Sequence, residues 1–136
     1  MDFSITRILD YPAEILILLF ISFTFLQSGY DKIKDWKGNL GWLTSHFSET
    51  PFKNSVPVLL AVLLLFEILS GIMTVLGIYT ILMYNVTYFA VWSLLLSGIT
   101  FLFLLIGQRV AKDYAGAMTI AVYFIINILG IISLNN

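Results

Sequence analysis

Apolar residues in this chain come in long blocks rather than in strict alternation. Four blocks stand out, at about residues 12–33, 56–77, 80–106 and 114–134, with short polar stretches between them. A helix rises about 1.5 Å per residue, so about 20 apolar residues cross the ~30 Å hydrocarbon core of a bilayer. The pattern predicts an all-α integral membrane protein, a bundle of four transmembrane helices forming one domain over residues 1–136. Pro12 suits the first turn of the first span, and Pro51 and Pro57 bracket the start of the second. Gly77 and Tyr79 predict a very short turn before the third span. Residues 1–10 read as a short amphipathic lead lying at the interface. Between the first two spans, Leu40, Trp42, Leu43 and Phe47 are interleaved with Asn39, Thr44, Ser45 and His46. Trp36 and Trp42 suit the headgroup level, so this stretch predicts a short interfacial helix.

Polar and small residues within the blocks follow helical spacing. Glu67, Ser70, Gly71 and Thr74 share one face of the second span, and Thr24, Gln27 or Ser28, and Asp31 share one face of the first. Ser93, Ser97 and Thr100 align on the third, and Gly116, Thr119, Tyr123, Asn127 and Gly130 on the fourth. Four such faces predict a bundle with a polar lining and lipid on the remaining surface. Asn85-Val86-Thr87 has the form of a glycosylation sequon, which carries no meaning inside an apolar run.

Glu67 is the deepest acid, about ten residues from either end of its block. An ionisable group there costs roughly 2.5 to 3.5 kcal/mol to insert. It is either protonated or ionised beside a cation. Lys32 and Arg109 are the candidate cations, because their long side chains reach inward from the membrane surface. The predicted polar cluster is Gln27, Asp31, Lys32, Glu67, Gln108 and Arg109, with Asp113 nearby. Gly29 and Gly71 are the predicted helix-packing positions. The segments 27–32 and 108–113 echo one another, each opening on Gln and carrying an acid and a base four and five residues later.

Composition narrows the function further. The chain is 60% hydrophobic and 11% charged, which excludes a soluble domain. No basic patch suits nucleic acid. With no cysteine and one histidine, His46, the chain itself supplies no thiol couple, iron–sulfur ligation, cysteine zinc site or bis-histidine haem. No nucleophile–base pair is evident either, and no metal ligand set. The first helix reads as retained rather than as a cleaved signal. Lys32, Lys34, Lys37, Lys53, Arg109 and Lys112 lie in two connections on one side, against Arg7 on the other. That asymmetry predicts those connections in the cytoplasm and both termini outside.

Phe25-Leu-Gln-Ser-Gly29-Tyr-Asp-Lys32, followed by Glu67-Ile-Leu-Ser-Gly71 and Leu76-Gly77, resembles the DoxX family of small four-helix membrane proteins. Its pattern is a glycine three residues before a lysine at the end of the first helix, then Glu-x-x-x-Gly in the second. The resemblance implies the inner membrane of a bacterium and a quinone-linked or redox-assembly role, with Gly29, Lys32, Glu67 and Gly71 as the positions carried over. It thereby implies quinone as a ligand and an oxidoreductase subunit as a partner; the bilayer and a second copy of the chain are the other expected partners. Three readings stand: a binding module for a quinone-like lipophile, a structural subunit held by an internal ion pair, and a proton or transport path.

Overall fold

The computed structural model describes residues 3–135; Met1, Asp2 and Asn136 of the predicted lead and tail lie outside them. The described chain is six helices in the order α1 (Phe3–Asp10), α2 (Pro12–Lys34), α3 (Trp36–His46), α4 (Val56–Tyr84), α5 (Tyr88–Val110) and α6 (Tyr114–Leu134). Four of them, α2, α4, α5 and α6, are long and apolar enough to cross a membrane. The protein is therefore a multi-pass membrane protein built as an all-α, four-span bundle.

Consecutive spans pack side by side, α2 on α4, α4 on α5 and α5 on α6, while α6 closes back on α2 through a narrower contact. The centre is Leu18, Ile21 and Phe25 of α2 against Ile81, Ala90, Leu94 and Phe101. Lipid tails are as apolar as leucine, so close approach of helices and hydrogen bonding hold such a bundle more than transfer from water does. Most buried hydroxyls bond within their own helices, as Ser93 donates to Ala90 O, Ser97 to Ser93 O and Thr100 to Leu96 O, while Ser70 bonds across to Thr100. Outward rows such as Leu65, Leu69 and Ile72, or Val122, Ile125 and Leu129, are exposed. In water they would form an apolar patch of prohibitive size; against lipid they are the expected surface.

The boundary between the second and third spans corrects the reading of the sequence. Helix α4 continues through Gly77 to Tyr84, and the turn falls at Asn85-Val86-Thr87. Gly77 is a packing residue, since a Cβ there would lie 2.9 Å from Ala90 Cα. Asn85 ends the helix in the left-handed conformation (φ 54°), which Asn tolerates better than most residues. The sequon-like triplet is thus the interhelical turn. The third span shifts with it to Tyr88–Val110, so Gln108 and Arg109 lie on the last turn of α5 rather than in a connection.

At one end of the bundle, α3 packs on α2 and α4. His46 Nε2 lies 3.9 Å from Asp113 Oδ2, which puts the α5–α6 connection at that same end. At the opposite end, α1 rests on α4, and Ser133 donates to Glu14 Oε2 at 2.6 Å, tying α6 to α2. The six basic residues in and beside the two connections therefore gather at the α3 end.

Candidate functional site

The site begins with two glycines that let α2 and α4 approach. A Cβ on Gly71 would sit 2.7 Å from Leu26 Cγ, and one on Gly29 would sit 3.0 Å from Ile68 Cγ1. With the helices this close, Lys32 on the last turns of α2 reaches the middle of α4. Its Nζ lies 3.1 Å from Glu67 Oε2 and donates also to Ser28 Oγ at 2.7 Å, one turn back on its own helix. Glu67 is 1% exposed and the Lys32 side chain 15%. The ion pair is thus buried at its acid end and reaches toward the membrane surface at its base end. Below it, Ser70 shares a hydrogen bond of 3.1 Å with Thr100, and Thr74 donates to the carbonyls of Ser70 and Gly71.

The pair is not closed on itself. Glu67 Oε1 is buried and has no hydrogen-bond partner. A buried acceptor left bare costs about 1–3 kcal/mol. Glu67 lines a cavity of about 510 Å³ together with Lys32, Ser28, Gln27, Asp31, Gln108 and several rings. Phe25 stacks on Phe101 with centroids 4.6 Å apart, and Tyr123 stands 6.0 Å from Phe101. Phe20 meets Tyr123 edge-on at 5.6 Å at the rim. Phe20, Phe23, Gln27 and Asp31 on the rim are exposed, so the cleft opens along α2 on the side toward α6.

A second cavity, about 330 Å³, lies beneath α3 between α4 and α5. Its walls are apolar, among them Leu43, Phe47, Phe52, Leu60, Leu63, Phe66 and Phe103. Leu104 and Gln108 line both cavities and form the partition between them.

The residues singled out from sequence divide accordingly. Lys32 and Glu67 form the pair, Gln27, Asp31 and Gln108 line the cleft, and Gly29 and Gly71 pack α2 on α4. The two Gln residues of the internal echo therefore meet at one cleft. Arg109 is not brought in: it is exposed, with its guanidinium 5.3 Å from the Tyr114 ring centroid. At 3.6 residues per turn, Arg109 lies about 100° round α5 from Gln108, which turns it off the cleft that Gln108 lines. Asp113 instead caps α6, accepting from Gly116 N at 3.0 Å. His46 stacks on Trp42 at 4.5 Å. Tyr123 lines the cleft and Phe66 the second cavity, while Tyr88 and Trp92 are exposed and line neither.

Phe25, Phe101 and Ser28 carry the cleft as much as the charged residues do. Ser28 was legible as the residue one turn before Lys32. The two phenylalanines carried no signal beyond apolar spacing. Asn127 is fully buried, donates to Leu94 O at 2.8 Å and leaves its Oδ1 unpartnered. Among the described residues no three His, Asp or Glu side chains gather as metal ligands.

Fold and site together define a four-span membrane protein with an interior Lys–Glu pair on the wall of a side cleft. The DoxX family profile matches residues 15–92, more than half of the chain, and the chain belongs to the DoxX family. The matched region holds Gly29, Lys32, Glu67 and Gly71 and ends in the first turns of α5, before Phe101, Gln108 and Tyr123. Comparison with the curated proteins and with the solved structures finds no match.

Proposed function

We propose that the protein binds a quinone-like or similar lipophilic small molecule in the α2–α6 cleft, as a subunit or accessory of a redox system in a bacterial inner membrane. One observation carries the reading: a carboxylate with a bare, buried oxygen lines a cleft that is aromatic within and open at its side. Membrane ligand sites need apolar walls and one or two polar groups that fix orientation, and this cleft has both. Electrons for a redox change of the ligand come from a partner subunit, because the chain carries no cysteine and one histidine. The basic α3 end faces the cytoplasm and the termini face outward, following the bias of Lys and Arg toward cytoplasmic loops.

A structural reading draws on the same pair, since Lys32–Glu67 ties α2 to α4 at 3.1 Å. The double variant Lys32→Met/Glu67→Leu separates the two. Replacing a buried ion pair by apolar residues of similar size is often neutral or stabilising. The double variant is expected to keep its melting temperature and to lose at least tenfold in affinity for a decyl-substituted benzohydroquinone in lipid nanodiscs. Unchanged affinity with unchanged stability overturns the binding reading.

A further inference from the structure

We propose that the group recognised at the Glu67–Lys32 pair is an aromatic hydroxyl, so that the cleft takes a lipophilic phenol or hydroquinone in preference to the corresponding quinone. This rests on the cleft being a ligand site and specifies the chemistry that completes it.

The donors and acceptors of the pair decide what it can recognise. An ammonium has three N–H donors, and Lys32 spends two, on Ser28 Oγ at 2.7 Å and on Glu67 Oε2 at 3.1 Å. One remains. In the ion pair, Glu67 is a carboxylate and can only accept, and its Oε1 is buried with no donor. The Ser28 hydroxyl proton is directed at the Glu67 carboxylate as well, and with Oε1 still unpartnered the cluster presents one free Lys32 donor and one free acceptor to whatever enters. A quinone carbonyl accepts from Lys32 but leaves Oε1 bare. A carboxylate ligand does the same and adds a like charge. A hydroxyl donates its proton to Oε1 while its oxygen accepts from Lys32, and both groups are satisfied at once.

The walls select the rest of the molecule. Phe25 and Phe101 stack at 4.6 Å, with Tyr123 beside Phe101, so a flat ring finds ring faces and edges to pack on. Sites that hydrogen-bond a ligand hydroxyl discriminate strongly against the analogue lacking it, because the buried protein group is then left unpaired.

The test compares three probes on the protein in nanodiscs under anaerobic conditions: decyl-benzohydroquinone, its benzoquinone and its dimethyl ether. The ether keeps the ring and its oxygens and removes the donors. The hydroquinone is expected to bind at least tenfold more tightly than either of the others. In Glu67→Gln the amide can turn an N–H toward the ligand, so the preference is expected to vanish or reverse toward the quinone. Equal affinity of the three for the wild type, lost in Lys32→Met/Glu67→Leu, overturns the hydroxyl preference and leaves the ligand site standing. Binding of none of the three overturns both. If Glu67→Gln does not fold, the three-probe comparison on the wild type decides alone.

Discussion

Lys32 stands at the α3 end of α2, yet its ammonium meets an acid placed near the middle of α4. The long aliphatic stem makes this geometry cheap, because it lies along apolar surface while the charge reaches its partner. Removing the cation alone is different, since it leaves a carboxylate buried without compensation. Lys32→Met is expected to destabilise the protein by about 3–5 kcal/mol in detergent unfolding, and adding Glu67→Leu should restore most of that loss. Arg109→Ala should stay within about 0.5 kcal/mol of wild type, because its guanidinium lies on Tyr114 outside the cleft. Equal losses for the two cations would contradict the assignment. From sequence the two could not be ranked by depth alone, as each lies near the surface on a long stem. The close α2–α4 approach decides between them.

At the scale of the helices, that approach depends on Gly29 and Gly71. Gly71→Val should force Leu26 and α2 outward, costing about 1–3 kcal/mol as overpacking and loosening the Lys32–Glu67 contact. Thermal unfolding checks the first effect, and the affinity for decyl-benzohydroquinone checks the second; a variant that melts and binds like wild type would refute the packing role. Small residues at helical spacing made Gly71 readable as a contact position. The same logic misread Gly77, where an apolar run and a glycine suggested a turn. In the structure Gly77 faces Ala90 inside a 29-residue helix, about 43 Å long, and Asn85 makes the turn. A glycine marks a helix end only where the backbone needs positive φ, and here the αL residue is Asn85. The aromatic lining was illegible for a related reason: Phe25 and Phe101 look like any apolar residue until two helices place them face to face.

For the whole molecule, four apolar blocks were enough to read the class, because backbone polar groups in lipid leave few alternatives to a helix. The side cleft was not readable, since it arises from how far α6 stands from α2, which no single helix encodes. Topology is open to direct check, and the absence of cysteine makes labelling clean. A single Asn85→Cys variant should react with a membrane-impermeant maleimide on intact spheroplasts, and Lys112→Cys only after the membrane is permeabilised. The reverse pattern would invert the orientation. The central claim, that Glu67 and Lys32 hold a ring in the cleft, is tested most directly by a structure of the protein in lipid with decyl-benzohydroquinone. The ring should lie in the cleft against Phe101 and Tyr123, with one hydroxyl within hydrogen-bond distance of Glu67 Oε1 and Lys32 Nζ. A ring lodged beneath α3 instead, or a cleft holding only lipid tails beside an unchanged ion pair, would contradict the account.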